Sequence, residues 1–169
     1  MKRVMIIGQP GSGKSWLACE MGRITGLPVY HIDHIHWKSG WVERTTEEKT
    51  AMAREVHAKS EWIFEGGHSR TWGERLTRAD TLIWLDFSVW FRSWQVIRRT
   101  LQDYGHTRPD LPDGCPEQFS WEFTKWIWDT RNSGRVKPLA IFDNPPAHLT
   151  CLRLTSRAEV AAYLEQLGQ

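Results

Sequence analysis

Eight residues near the N-terminus, Gly8-Gln9-Pro10-Gly11-Ser12-Gly13-Lys14-Ser15, restrict what this chain can fold into more than any other stretch. They fit G-x-x-x-x-G-K-[ST], the Walker A pattern, at every defined position. An apolar run over 4–7 precedes them and reads as a buried strand, and the residues from Trp16 to Met21 read as a helix. Glycines let the backbone curl until its N–H groups turn inward, as phosphate oxygens require. The following helix adds its positive N-terminal end. In that setting Lys14 is expected to reach the β/γ-phosphates of ATP or another NTP, and the Ser15 hydroxyl to ligate Mg²⁺. Gly8, Gln9, Pro10, Gly11, Ser12, Gly13, Lys14, Ser15 and the adjoining Trp16 are the candidate nucleotide-binding residues. The competing account is a glycine-rich turn between a core strand and a core helix. Four fixed positions with the right flanks weigh against it.

Length and charge narrow the rest. A chain of 169 residues makes one domain with a substantial core. With 40% apolar and 25% charged residues it reads as an ordinary globular protein. A formal net charge of +2 implies no strong field for nucleic acid. No run approaches the roughly 18 apolar residues of a membrane span, and Met1-Lys2-Arg3 leads straight into the first strand rather than a signal peptide. Cys19, Cys115 and Cys151 are odd in number and form no C-x-x-C, which suits structural thiols in a reduced, cytoplasmic protein. The 11 tryptophans are expected mostly in the core or on cleft walls.

Further along, Gly26-Leu27-Pro28 breaks the first helix, and 29–33 reads as a second strand with Asp33 at its carboxyl end. Ligands of open α/β sheets bind outside the carboxyl ends of the strands. His31, His34 and His36 follow no standard zinc spacing, so cleft or surface histidines are the default reading and a metal cluster the alternative. Thr45 and Glu48 stand at capping-box spacing before a helix that runs to about 59. The run Trp62-Ile63-Phe64-Glu65-Gly66-Gly67 reads as a short buried strand ending in an acid and two glycines. Glu65 is placed to serve a nucleotide-bound Mg²⁺, directly or through water, and the glycines let a ligand approach the backbone. The alternative is a turn with a solvated Glu. A short helix then opens near Arg70 and runs to 79.

Residues 81–87 read as a fourth strand, with Ser88 capping the next helix. On that helix Trp90, Trp94, Ile97 and Leu101 fall at helical spacing and are expected to face the core. Residues 104–116 carry two Gly and three Pro, include Arg108-Pro109-Asp110, and read as a mobile loop or small lid. A helix over 117–130 is expected to turn Phe119, Phe123 and Ile127 inward. The arginines from 92 to 135 read either as a solvated face or as a lid that clamps transferring phosphoryl charge. Residues 136–142 are taken as a helix with Pro138 in its first turn. A last strand over 148–154 leads to Ser156 and Glu159, again at capping-box spacing. The loop Thr155-Ser156-Arg157 is expected at the sheet edge near the phosphate loop, touching a base or serving as a plain connector. Strands alternating with helices predict a three-layer α/β domain with a five-stranded parallel sheet.

These motifs together resemble the adenylate-kinase-like P-loop proteins and, more closely, the bacterial DNA topology modulation (FlaR-type) proteins. The resemblance rests on Gly8 to Ser15, on Leu27-Pro28-Val29-Tyr30-His31-Ile32-Asp33, on Gly40-Trp41-Val42-Glu43 and on Trp62 to Arg70. It continues through Ala79-Asp80-Thr81, Leu85-Asp86, Arg108-Pro109-Asp110 and Gly114-Cys115-Pro116-Glu117. It covers nearly the whole chain and implies a three-layer P-loop NTPase fold, one kinase-like domain over 1–169 with a helical or loop lid about 100–120. By that likeness Asp33 would orient the acceptor, Arg70 would hold its anionic part, and Arg99 and Arg108 would serve the lid. The chain departs at Glu65, where such proteins usually carry Asp.

The expected activity is Mg²⁺-dependent transfer of the γ-phosphoryl group of ATP to a small acceptor such as a nucleotide or nucleoside. Lys14, Asp33, Arg99 and Arg108 are the candidate catalytic residues. Asp33, Trp37, Gly66, Gly67, His68 and Arg70 are the candidate acceptor residues, Ser15 and Glu65 the metal residues, and Arg157 a base contact. A regulatory ATPase or nucleotide-binding protein acting on DNA topology or gene expression is the alternative. The near-neutral charge counts against DNA as a partner.

Overall fold

The computed structural model describes residues 1–169. Five strands, β1 (Arg3–Gly8), β2 (Val29–His31), β5 (Trp62–Glu65), β6 (Thr81–Leu85) and β7 (Thr150–Leu154), form one sheet in the order β2-β5-β1-β6-β7. Every pairing in it is parallel. The three central strands, β5, β1 and β6, are almost continuously apolar and buried because helices cover both faces. Val4 and Ile6 of β1 pack with Leu17, Met21 and Val160 on the side of α1 (Lys14–Thr25) and α8 (Arg157–Leu167). Met5 and Ile7 pack with Ala53, Val56, Trp62 and Trp84 on the side of α3 (Thr46–Ala58) and α4 (Trp72–Arg78). That alternation by two along β1 makes the three layers. No helix is long and apolar enough to cross a membrane.

The second strand ends earlier than the apolar run implies. Pairing with β5 stops at His31 opposite Glu65. The chain then winds into a short helix, α2 (Ile32–His36), which buries Ile32 and Ile35 and carries Asp33. Next come β3 (Trp37–Lys38) and β4 (Val42–Glu43), a two-stranded antiparallel hairpin that the sequence did not announce. The cap of α3 is as expected: Thr45 accepts from the Glu48 N–H and Glu48 accepts from the Thr45 N–H.

Two helices turn opposite to expectation. On α5 (Val89–Asp103), Trp90, Trp94, Ile97 and Leu101 share a stripe as read, but the stripe faces solvent. The buried face carries Arg92, Val96 and Thr100. Arg92 turns inward because backbone carbonyls receive it: its Nε donates to Phe87 O and its Nη1 to Pro10 O, each at 3.2 Å. Helix α6 starts later than expected, at Trp121–Asp129 behind the Ser120 cap. Only its Ile127 is buried, while Phe119 and Phe123 are exposed. Helix α7 (Ser133–Asp143) is a helix as expected, but it begins before 136, so Pro138 is a buried interior residue and not a first-turn one.

Candidate active site

The parallel register brings one end of the sheet together. Glu65 aligns with Ile6 on one side and His31 on the other. The loop from Gly8 to Gly13, the end of β5 and the β2–α2 junction therefore meet at the strands' carboxyl ends, as the topology of such sheets requires.

The phosphate loop closes on itself, with Ser12 N–H donating to Gln9 O at 3.2 Å and Lys14 Nζ to the same oxygen at 3.4 Å. Gly11 has φ 77°, and a Cβ there would lie 2.3 Å from Arg92 O. Only glycine permits α5 to come that close. The Ser12 hydroxyl is buried and has no partner within the protein. An orphaned buried hydroxyl in a glycine-rich loop ahead of a helix N-terminus suits an oxyanion ligand. Trp16 stands exposed on the first turns of α1.

Glu65 is buried and collects two donors on one oxygen. Ser15 Oγ lies 3.2 Å and His31 Nδ1 3.0 Å from Oε1. Burial opposes a charge on His31, but the hydrogen bond and charge of Glu65 outweigh it, so its pKa is raised. Asp33 sits beside this group, and its carboxylate makes no hydrogen bond within the protein. Burial raises its carboxyl to about 6, the charges of Glu65 and Asp110 add to the rise, and Lys14 and Arg108 oppose it. Four charges thus act on Asp33, and a carboxyl tuned into this range is the usual mark of an acid–base residue.

The segment after α5 roofs this cluster rather than extending into solvent. It pairs with itself at Tyr104 with Glu117 and Thr107 with Pro116. Leu111 and Cys115 are buried. Its far side is bonded to the β3–β4 hairpin: Gly40 N–H donates to Gly114 O at 3.0 Å, Trp41 Nε1 to Pro116 O at 3.1 Å, and Cys115 Sγ to Lys38 O at 3.3 Å. His34 Nε2 lies 3.0 Å from Pro109 O. Arg108 pairs with Asp110 and with Glu117, each at 2.9 Å. Arg99 pairs with Glu117 at 3.3 Å, and burial lowers its pKa, with the charge of Arg108 adding to the effect.

The other sequence candidates divide. Gly66 has φ 105° and no room for a Cβ, which would lie 2.1 Å from Ile32 Cγ2. Trp37 and Trp41 meet edge to face at 5.4 Å. His68 Nε2 lies 3.1 Å from Thr50 Oγ1. Arg70 is exposed and lines a shallow cleft of about 320 Å³ with Thr46, Thr50 and Arg54. It is not among the charges that act on Asp33. Arg157 is exposed at the start of α8, and the loop reaches the phosphate-loop side through Thr155 instead.

Sequence reasoning missed three features. Arg75 is fully buried and donates to Gly66 O at 3.0 Å and Gly67 O at 3.3 Å, so it holds the glycine turn. His31 was seen only as one of three histidines, and its place at the last β2 pairing opposite Glu65 needs the register. Beside Gln9 lies a cleft of about 410 Å³ lined by Phe87, Arg131, Arg135, Arg153 and Thr155. Asp86 at its floor binds Arg135 at 2.7 Å and Arg153 at 2.6 Å, and Gln9 Nε2 donates to Thr130 O at 2.8 Å. No three His, Cys, Asp or Glu side chains gather into a metal cage. The Ser15 hydroxyl and the Glu65 carboxylate are instead one or two hard oxygen donors, which suits Mg²⁺ completed by phosphate and water.

No family model and no curated protein matches the sequence. Solved structures do match. Shikimate kinase from Acinetobacter baumannii, in complex with shikimate, superposes with a TM-score of 0.64 at 13% identity, covering 99% of this chain and 90% of that one. A gluconokinase from Sinorhizobium meliloti gives 0.56 at 14% identity, covering 99% and 93%. Deoxyadenosine kinase from M. mycoides, with bound dATP, gives 0.54 at 12% identity over the whole of both chains. The chain therefore has the α/β fold of the P-loop kinases, with its glycine-rich loop, Glu65 and Asp33 at the carboxyl end of the sheet.

Proposed function

We propose that this chain is an ATP-dependent phosphotransferase acting on a hydroxyl of a small acceptor, within the group of DNA topology modulation (FlaR-type) proteins that its motifs resemble. The observation that carries the reading is Asp33: a half-buried carboxyl lifted to about 6, its side chain without a hydrogen bond, beside Lys14, Glu65 and Arg108. A group so tuned is ionised near neutrality and basic enough to take a proton from a hydroxyl.

The loop from Gly8 to Ser15 would hold the triphosphate by backbone N–H groups, with Lys14 following the γ-phosphoryl group. Ser15 and Glu65 would hold Mg²⁺, which neutralises charge on the β- and γ-oxygens when bound. The acceptor oxygen forms a bond to the γ-phosphorus as the bond to the β,γ-bridging oxygen breaks. Its proton passes to Asp33, and ADP leaves. Arg108 would meet charge developing on the transferring group, after loosening its hold on Asp110, and Arg99 would keep Glu117 in place behind it. The roof over 104–117 keeps water from competing with the acceptor. Gly66, Gly67, Trp37 and His68 would border the acceptor.

The test is ADP release measured with nucleosides, nucleoside monophosphates, shikimate and gluconate, the last two prompted by the superposed kinases. One acceptor should raise turnover well above the rate with water, and Lys14→Ala should abolish it. If every acceptor leaves the rate at that of hydrolysis, the reading gives way to a nucleotide-binding regulator.

A further inference from the structure

The outward stripe of α5 has the spacing of a helix-pairing seam. Trp90, Trp94, Ile97 and Leu101 are separated by four, three and four residues, the d-a-d-a spacing of two heptads. They are 47% to 77% exposed. The opposite face of α5 is already occupied, with Arg92 on the phosphate loop and Thr100 donating to Glu117. Helix α6 extends the seam, since Trp128 meets Trp90 edge to face at 5.0 Å. Trp121 lies two turns earlier along the same side of α6 and is also exposed.

We infer that this α5–α6 face is the interface of a homodimer. By the 150–250 Å² that a large aromatic side chain presents, the six residues leave about 800 Å² of apolar surface open. A lone monomer's largest patch is usually about 300–600 Å². A specific interface takes about 800 Å² from each partner, so one face of this size suffices. The period of the seam selects the partner. A 3.5-residue stripe is covered best by another helix of the same period, and a second α5 related by a twofold axis supplies it. In an antiparallel pair, Trp94 lies against the second copy's Ile97 and Trp90 against its Leu101. Arg98 then faces Phe91, so no like charges oppose the approach. The remaining charges on α6, Glu122, Lys125 and Asp129, are of both signs. With Arg98 and Arg131 stacked on Trp94 and Trp128, the face carries three positive charges, Lys125 included, against two negative, too small an excess to favour nucleic acid or anionic lipid over a second copy.

The inference is independent of the phosphotransfer reading and is tested by sedimentation equilibrium of the full chain, from about 0.1 to 50 µM. Wild type should show twice the monomer mass, with a dissociation constant on the order of 1 µM or tighter. The double variant Trp94→Glu, Leu101→Glu should be monomeric throughout, with an unchanged far-ultraviolet circular dichroism spectrum. Should that variant fail to fold, Trp90→Gln decides: the dimer should weaken at least about tenfold. A wild type that stays monomeric to the highest concentration would overturn the inference. So would a dimer that the folded variants leave intact, or a monomer that instead floats with phosphatidylcholine vesicles.

Discussion

Ser15 and Glu65 meet across 50 residues of sequence: the serine hydroxyl donates to Glu65 Oε1 at 3.2 Å, on the oxygen that His31 also holds. The carboxylate is therefore fixed before any ion arrives, which lowers the reorganisation a bound Mg²⁺ would demand. Replacing it by an amide keeps the shape and removes the charge. Glu65→Gln should raise the Mg²⁺ concentration for half-maximal activity by about 10–100-fold, the range for losing an oriented metal partner. A Mg²⁺ titration of ADP release checks this. An unchanged midpoint would remove Glu65 from the metal site.

Asp33 gives a pH signature. Its carboxyl titrates near 6 because of burial first and the charge of Glu65 second. Only the ionised form accepts a proton, so kcat/KM should fall about tenfold per pH unit below that value and level off above it. Asp33→Asn should lose about 10²–10⁴ in kcat and show no such limb, while ATP affinity changes little. A pH–rate profile of both proteins, with nucleotide binding measured beside it, separates this role from simple acceptor binding.

Arg75 tests the support beneath the glycine turn. Its guanidinium has no exposure, bonds to the Gly66 and Gly67 carbonyls, and lies 4.0 Å from the centre of the Phe64 ring. Burial lowers its pKa to about 9, which still leaves it charged at neutrality. Arg75→Met fills the volume and removes three charge-assisted hydrogen bonds, to Gly66 O, Gly67 O and His57 Nε2, of about 1.5 kcal/mol each. Urea unfolding should show a loss of about 4.5 kcal/mol. The acceptor KM should rise as the turn relaxes, with the KM for ATP nearly constant.

The central strands and the phosphate loop were legible because each is a local pattern: an apolar run bounded by glycines, then fixed spacings. The place of Asp33 beside the sheet's carboxyl end was legible, but its helix was not. Val29-Tyr30-His31-Ile32 contains no Gly, Pro or other turn signal, and only the end of pairing at His31 opposite Glu65 shows where the strand stops. Periodicity on α5 identified the stripe of Trp90, Trp94, Ile97 and Leu101 correctly, yet a period does not say which way a stripe points. The deciding contacts, Arg92 to Phe87 O and Pro10 O, come from backbone carbonyls that no side-chain pattern announces. The segment over 104–116 was read as a mobile loop or small lid because of its Gly and Pro and its low apolar content. It is held to the β3–β4 hairpin by one backbone–backbone bond, Gly40 to Gly114, and by the Trp41 indole and Cys115 thiol on backbone carbonyls, contacts that composition does not record.

His57 makes acid stability testable. It is buried between α3 and the sheet, accepts from Arg75 Nε at 3.2 Å, and packs 5.5 Å from the Phe64 ring centre. Burial, then the charge of Arg75, lowers its pKa from an ordinary 6.5 to about 4. Above 6.5 the imidazole is neutral in both folded and unfolded chains, and its contribution is complete. Between 6.5 and 4 the unfolded chain takes the proton and the folded one does not, so this contribution is lost as pH falls. Asp33 works in the opposite sense. Its charge is penalised in the folded state, and that penalty disappears as pH falls through about 6. The wild-type curve therefore mixes two opposed slopes, and the informative quantity is a difference. His57→Gln keeps an acceptor for Arg75 but cannot take a proton. Urea midpoints near neutral pH and near pH 5 should show the variant gaining on wild type at the lower pH. A constant gap between the two proteins across that window would mean that His57 is charged in the folded chain, contrary to its burial beside Arg75.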